Sequence, residues 1–172
     1  MTAIVLTLLR LRFAEVEPFV VSVAAFCVME FHALTDYRDG YICDWAVIVS
    51  VLVGLAIRIF FGGWNGVLTS LLGSVAGCLP VVAVVMLTHG AMGWGDVTMM
   101  TGLGAILGWR MALMTLYAGV VIGGVCALIL LLARLVKRRD ALPLAPFLLA
   151  GLTWALIFGA SFAAQLGLDV SL

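Results

Sequence analysis

Long continuous apolar runs, separated by short polar segments, dominate the hydrophobic pattern of this sequence. The runs do not alternate apolar and polar residues, so they lack the period of two that a transmembrane β-barrel requires. Most of them approach the roughly 20 residues with which a helix crosses the hydrocarbon core of a bilayer. The pattern therefore predicts an all-α membrane protein, a bundle of about six transmembrane helices.

Glycines, prolines and charged residues between the runs set the predicted helix boundaries. A turn at residues 62–66 separates the second span from the third, and a glycine-rich break at 89–96 precedes a short fourth helix. Prolines at 143 and 146 lead into the last span. We expect helices at about Pro18–Thr35, Asp44–Phe61, Val67–Thr88, Asp96–Leu107, Met111–Leu135 and from Pro146 to about Ala164.

The first residues of the chain form a separate segment. Met1 to Phe13 is apolar but too short to span a bilayer, and Arg10 and Arg12 follow the apolar run instead of preceding it as in a signal peptide. We therefore expect a short amphipathic or interfacial segment over residues 1–17 and a six-helix membrane domain over residues 18–172.

Composition indicates that the bilayer is the solvent of this chain and limits the classes of partner that it can bind. Hydrophobic residues make up 65% of the sequence, charged residues 10%, and the mean hydropathy is +1.27. Soluble domains carry roughly 25% charged residues. The formal net charge of zero offers no basic surface for nucleic acid. The four cysteines are far apart and form no CxxC pair, which argues against a zinc site or a disulfide framework. No cofactor is expected.

Basic residues predict the orientation in the membrane, because short cytoplasmic loops are enriched in Lys and Arg. The densest group follows the fifth span and comprises Arg134, Lys137, Arg138 and Arg139. Placing this loop in the cytoplasm also places the loops after the first and third spans there. Arg58 and Arg110 fall on the opposite side and oppose this assignment. The prediction is a multi-pass protein of the inner, cytoplasmic membrane.

Two carboxylates have positions that indicate chemistry, since ionisable groups in membrane segments are costly. Asp36 ends the first predicted span, and Asp96 opens the fourth helix. Both belong to the predicted cytoplasmic face, so two carboxylates from different helices can meet there. A pair of this kind can share one proton and activate water, as in aspartic proteases. Asp36 and Asp96 are therefore candidates for a pair of this kind.

The residues around these carboxylates predict the shape of the site. Gly93 and Gly95 lack a Cβ and would let a substrate backbone approach closely. Trp94, between them, is a candidate for shaping a substrate groove. Asp44 follows the first carboxylate at the start of the second span, where it could contribute to the site or cap the helix.

Three segments of the sequence resemble conserved motifs of the prepilin peptidase family. The run from residue 93 to 109, GWGDVTMMTGLGAILGW, resembles the family's GxGDxKLxxxxGxxxGW, and its first four residues match the GxGD signature. Residues 36–44, DYRDGYICD, resemble the family's D-x-R-x-x-x-I-P-N/D segment. Residues 142–147, LPLAPF, resemble its I-P-F-G-P-F stretch before the last helix. The three motifs occur in the expected order over about residues 20–160.

The resemblance implies a membrane aspartic endopeptidase whose catalytic residues correspond to Asp36 and Asp96. Its substrates would be prepilin-like precursors, pilins or pseudopilins, with a basic leader that ends in a small residue before an apolar helix. Longer members carry a CxxC-containing domain associated with N-methylation. This sequence has no such pairs, so it resembles the short form and we expect no methyltransferase activity. Thr98, Cys43 and Ala145 replace the family's Lys, Pro and Gly.

Other interpretations of the same residues remain open. Asp96 could be an ordinary helix N-cap, and the carboxylates could bind protons or cations in a small membrane carrier. The protein could also be a non-catalytic scaffold. The roles of Glu30, His32 and His89 are not assigned by the sequence. A metal-binding hypothesis would combine four side chains, His32, Asp36, His89 and Asp96, although no HExxH-like spacing supports it.

Overall fold

The computed structural model describes Thr7 and residues 16–39, 43–88, 93–135 and 143–165. These ranges contain five helices and no strand, which confirms the all-α prediction. The predicted interfacial segment 1–17 lies outside the described residues, apart from Thr7 and the first two residues of α1. The helices are α1 (Val16–Asp39), α2 (Asp44–Leu87), α3 (Trp94–Leu107), α4 (Trp109–Leu132) and α5 (Ala145–Gln165).

The 44-residue helix α2 reverses direction in its middle. Gly63 has φ 55° and ψ −132°, a backbone conformation that glycine adopts without steric cost. A Cβ on Gly66 would overlap the carbonyl oxygen of Arg58, although eight residues of straight helix would separate the two by about 12 Å. Helix α2 therefore consists of two arms, residues 44–62 and 64–87. The turn predicted at residues 62–66 is confirmed.

Helix α3 packs between the two arms of α2 through glycines, which let backbones approach closely. Moving along the first arm toward its C-terminus, the contacted residues of α3 also move toward the C-terminus of α3. Moving along the second arm in the same way, they move toward the N-terminus of α3. The two arms are therefore antiparallel. The contacts are Ser50 with Gly102 and Gly54 with Ala105 on the first arm, and Gly77 with Met100 and Gly73 with Gly104 on the second.

The remaining helices close the bundle around one apolar core. One face of α1 contributes Val21, Phe26 and Met29, and α5 contributes Leu148 and Leu152, all buried. Helix α5 also packs against α4 at a glycine contact, since a Cβ on Gly151 would overlap the backbone of Gly119. This arrangement brings the start of α5 next to the end of α1.

Three of the described helices are long and apolar enough to cross a membrane, namely α1 over Val16–Arg38, α2 and α4. Helix α5 contains a shorter apolar stretch, Ala145–Gly159. Helix α3 has 14 residues and rises about 21 Å, less than the roughly 30 Å of a hydrocarbon core. The chain is therefore a multi-pass membrane protein, but six complete spans are not shown.

Predicted and observed boundaries differ by up to four residues, most of all at α1. That helix continues to Asp39, because the charged residues that end the apolar pattern do not end the backbone hydrogen bonding. Helices α3 and α4 are separated by a single residue, Gly108, with φ 81°. Beyond α4, Arg134 has φ 58°, a left-handed conformation that commonly follows a helix end.

Candidate active site

Asp36 lies in the last part of α1 and is held by the start of α5. Its Oδ2 accepts a hydrogen bond from the backbone N–H of Ala145 at 3.1 Å. Ala145 is the first residue of α5 and is fully buried. The N–H groups of a first helical turn have no partner within their own helix, so the Asp36 carboxylate satisfies one of them. The next residue, Pro146, has no N–H to offer.

Asp96 lies in the first turn of α3 and forms hydrogen bonds with the backbone of the residue three positions earlier. Gly93 occupies the N-cap position, and its carbonyl accepts the Asp96 N–H at 3.2 Å. A backbone hydrogen bond from Gly93 also reaches the Asp96 carboxylate. The alternative that Asp96 is itself the N-cap is wrong. Its carboxylate instead reaches back from the third helical position, as the acidic residue of a capping box does.

The two aspartates are electrostatically coupled. Desolvation by burial, followed by the negative charge of Asp36, raises the pKa of Asp96 to about 6 from its ordinary value of 3.8. The hydrogen bond from Gly93 acts in the opposite direction and is outweighed. Asp96 belongs to α3, outside the three candidate membrane-spanning helices. The structure thus brings Asp36 and Asp96, 60 residues apart in sequence, into one site at the ends of two helices.

The glycine-rich segment lies at the exposed edge of this site. Trp94 is 61% exposed, Gly93 is exposed and Gly95 is half-buried. A Cβ on Gly93 would lie 3.7 Å from Asp96 Oδ2, an ordinary van der Waals contact, so internal packing does not explain the glycine. Thr98, where the family often has Lys, donates its hydroxyl to the Gly95 carbonyl at 2.9 Å.

Asp44 is the first residue of α2 and is exposed. Cys43 occupies the N-cap position, and no side chain makes the capping hydrogen bond there. The expectation that Asp44 caps this helix is therefore wrong, because it lies one position too late. The rings of Phe31 and Trp45 are 6.3 Å apart, which places the start of α2 beside α1. No described contact connects Asp44 to the aspartate pair.

The histidines have separate environments. His32 is 1% exposed, and its Nδ1 is 2.8 Å from the Val28 carbonyl oxygen. Its Nε2 has no hydrogen-bond partner among the described residues. His89 lies outside the described residues. Within the described part of the chain, no three His, Cys, Asp or Glu side chains group as metal ligands would.

Arg58 is an important residue whose role was not recognised in the sequence. It is only 5% exposed and donates from Nε to the Ile106 carbonyl at 3.1 Å and from Nη2 to the Leu107 carbonyl at 2.9 Å. Its Nη1 lies 3.3 Å from Glu17 Oε1. The available signal was a charged residue within a predicted span. These partners explain why Arg58 does not follow the loop bias used for orientation.

An open apolar cavity of about 480 Å³ lies between the second arm of α2, α4 and the start of α5. Its lining includes Val81, Leu116, Gly123, Leu144 and Phe147. Leu144 directly precedes the residue whose N–H contacts Asp36. The cavity therefore begins close to the aspartate pair.

These features define the class as a multi-pass α-helical membrane protein with a coupled pair of carboxylates at one end of its bundle. A model of the type IV leader peptidase family matches residues 20–128, which include both aspartates and the glycine segment. The match covers more than half of the chain. This protein belongs to the type IV leader peptidase family.

Curated relatives support the same assignment. The chain is 27% identical over 147 residues to a prepilin leader peptidase/N-methyltransferase of Bacillus subtilis, covering 86% of this chain and 58% of the relative. It is 26% identical over 137 residues to the protein of that name in Burkholderia pseudomallei, covering 77% of this chain and 44% of the relative. The chain thus spans about half the length of these relatives. No solved structure matches it.

Proposed function

We propose that this protein is a membrane aspartic endopeptidase that cleaves the leader peptide of prepilin-like precursors. The observation that carries the proposal is the placement of Asp36 at the end of α1 and Asp96 at the start of α3, where burial and the charge of Asp36 raise the pKa of Asp96. Pairs of like charges that destabilise each other are typical of catalytic sites rather than of structural ones. Family membership and the names of the curated relatives support the substrate class.

The chemistry needs one carboxylate and one carboxylic acid. The carboxylate accepts a proton from water as the water attacks the scissile carbonyl carbon, and the acid protonates the carbonyl oxygen. The two groups share one proton because a second negative charge at the same desolvated site is unfavourable. The raised pKa of Asp96 supports this state below about pH 6. Neither a metal ion nor a covalent intermediate enters the proposal.

We place this site at the cytoplasmic face of the inner membrane. The basic cluster after α4 favours that side for the ends of α1 and α4 and for the start of α3. Counting the two arms of α2 separately, the described residues contain six helical segments. We propose that all six belong to one membrane bundle, in which the short α3 is enclosed by the arms and does not itself cross the bilayer.

The same end of the molecule offers surfaces for a substrate. Gly93 and Gly95 leave room for an extended peptide beside the carboxylates, and the exposed Trp94 forms one wall. The apolar cavity beside Leu144 suits an apolar substrate segment that follows the cleaved bond. We keep Asp44 as a site-shaping residue that could attract the basic leader from its exposed position.

The test is cleavage of a prepilin-like precursor in membranes by the wild type, Asp36→Asn and Asp96→Asn. Asn preserves size but cannot exchange a proton, so each variant should lose about 100-fold or more of the activity. Asp140→Asn is the matched control, since it removes a carboxylate that directly follows the basic residues between α4 and α5 in the sequence. Insertion and thermal unfolding in detergent check that each variant folds.

Each outcome has a defined meaning. Loss of activity in both site variants, with the control active and all proteins folded, supports the aspartate pair. Activity in both site variants at the wild-type level contradicts it. A wild type that cleaves no prepilin-like precursor contradicts the peptidase assignment and favours the carrier hypothesis, which a proton- or cation-flux assay in vesicles examines directly.

A further inference from the structure

We propose that the two aspartates have fixed and different roles, with Asp36 as the base that activates water and Asp96 as the acid that protonates the substrate carbonyl. The backbone N–H of Ala145, at the start of α5, is the positioning group that holds Asp36 in its role. This inference rests on the proposed function, because it divides that chemistry between the two residues.

The first argument is the geometry at Asp36. Its Oδ2 accepts the Ala145 N–H at the first residue of a 21-residue helix. A helix N-terminus carries a partial positive charge, so a backbone N–H at that position is a favourable hydrogen-bond partner for a carboxylate. Phe147 and Leu148 already donate their N–H groups to the Leu144 carbonyl, and Pro146 has none. The Ala145 N–H is therefore directed at Asp36 without competition from those neighbours.

The second argument is the environment of Asp96. This residue also receives a backbone hydrogen bond, from Gly93, yet burial and the negative charge of Asp36 raise its pKa to about 6. Its surroundings therefore favour the neutral acid more than those of an ordinary aspartate do. A neutral carboxylic acid can donate a proton, which a carboxylate cannot.

Among the described residues, the exposed charges near this end do not reverse the difference. Arg38, Asp44 and Arg134 are exposed, where solvent screens their charges. His32 is buried on α1 one turn before Asp36, but its Nδ1 is engaged by the Val28 carbonyl oxygen. Residues 145–165 of α5 include no ionisable side chain.

These roles give a balanced hydrolysis. An O–H bond of water breaks, the proton goes to Asp36, and the water oxygen forms a bond to the carbonyl carbon. The carbonyl π pair moves to its oxygen, which takes the proton of Asp96. On collapse the C–N bond breaks, the proton on Asp36 goes to the departing amine nitrogen, and a hydroxyl proton of the intermediate returns to Asp96 as the carboxyl group forms. Both aspartates return to their starting states.

The first experiment reads the protonation states directly and needs no substrate. Infrared difference spectra of the full chain in lipid, between about pH 5 and pH 8, report the carboxylic acid that loses its proton in this range. We expect the wild-type band to be absent from Asp96→Asn and retained in Asp44→Asn, which removes an exposed carboxylate at the same end. In Asp36→Asn the band should shift to lower pH, since the neighbouring charge is gone. Retention of the band in Asp96→Asn overturns the assignment.

The second experiment tests Ala145 through the pH dependence of cleavage. Replacing Ala145 by lactic acid converts its backbone amide to an ester and removes the N–H without adding atoms. We expect kcat/KM to fall by about tenfold, because Asp36 loses the donor that positions it, with the alkaline limb of the pH profile unchanged. The matched control is phenyllactic acid at position 147. It removes the Phe147 N–H, which belongs to the same helical turn but donates to the Leu144 carbonyl instead of Asp36.

Movement of the alkaline limb instead would assign Asp36 as the acid and overturn the proposal. An equal fall of kcat/KM in the position-147 ester would show a general effect of helix weakening and also overturn the role of Ala145. The two proposals fail separately. A wild type without cleavage activity contradicts the proposed function, whereas the infrared result still identifies which aspartate carries the proton.

Discussion

At one end of the bundle, Arg58 meets the carboxylate of Glu17 and two carbonyl groups at the end of α3. At the other end, Asp36 and Asp96 bring two negative groups together at the end of α1 and the start of α3. Along α1 alone, Glu17 and Asp36 are separated by 19 residues, or about 28 Å. Both ends therefore hold partly buried charge. Opposite charges are paired at the Arg58 end, whereas like charges interact at the aspartate end.

The difference separates stabilisation from chemistry. At the Arg58 end, each of the three guanidinium nitrogens has an acceptor, and the carbonyls left without partners at the end of α3 are satisfied. At the aspartate end, desolvation and like charge raise the pKa of Asp96. Such conflict opposes folding and persists where a reaction needs it. The first end holds α3 in place, and in the function proposed above the aspartate end depends on that placement.

The largest expected effect on stability is at Arg58. Arg58→Met keeps much of the side-chain volume but leaves Glu17 and the carbonyls of Ile106 and Leu107 without their donor. We expect a loss of roughly 3 kcal/mol in the free energy of unfolding, because two buried carbonyl groups are left without hydrogen-bond donors. Denaturant unfolding in detergent micelles measures it. A loss below about 1 kcal/mol would contradict the stabilising role of this end.

Glu17→Gln is the matched control for Arg58. The Glu17 side chain is 35% exposed, so water can replace part of its interaction with Arg58. We expect this variant to lose no more than about 1 kcal/mol, because partly exposed ion pairs contribute little. Equal losses in the two variants would show that the ion pair, rather than the carbonyl contacts, supplies the stabilisation.

A glycine contact between the two ends should have a smaller effect on stability. It tests whether the position of α3 links the Arg58 end to the aspartate end. A Cβ on Gly73 would overlap the backbone carbonyl of Gly104 in α3, and backbone atoms cannot move aside cheaply. We expect Gly73→Ala to cost roughly 1–3 kcal/mol and to lower precursor cleavage by displacing α3 and hence Asp96. Gly62→Ala, where a Cβ meets nothing within 4 Å, should preserve both. Normal stability and cleavage in Gly73→Ala would contradict the predicted overlap.

The last prediction concerns the stability cost of the aspartate end, whose size depends on pH. The pKa of Asp96 is about 6 in the folded protein against 3.8 ordinarily, so the folded state binds more protons between these values. The resulting stabilisation is fully present below about pH 3.8 and is lost as pH rises through about 6. We therefore expect Asp96→Asn to unfold at a higher temperature than wild type near pH 7.5, with a smaller difference near pH 5. A difference independent of pH would contradict this.

The helical elements could be predicted because they depend on local pattern. Apolar runs of span length, the glycines at residues 62–66 and the break before residue 93 all act over a few neighbouring residues. The structure has helices in each predicted place, with the reversal at Gly63. The family could also be identified, because the short motifs around Asp36 and Asp96 are contiguous in sequence.

The local details of the helix starts were less predictable. Asp44 and Asp96 each lie near the start of a helix, and by sequence each could have been the N-cap of its own helix. The structure gives the N-cap positions to Gly93 and Cys43 instead. A shift of one to three residues changes which N–H groups a side chain can reach, and sequence patterns locate helix ends no more finely than that.

By itself, the sequence determined an all-helical membrane chain with acidic residues at two helix ends and the motifs of one peptidase family. Tertiary structure alone decided that Arg58 binds carbonyls 48 and 49 residues away and that Ala145 donates to Asp36 across 109 residues. It also decided that α3 lies between the arms of α2. The contacts of Arg58 and Asp36 join side chains to backbone groups. Backbone groups are chemically the same at almost every position, so only the packing of the helices selects which of them a side chain meets.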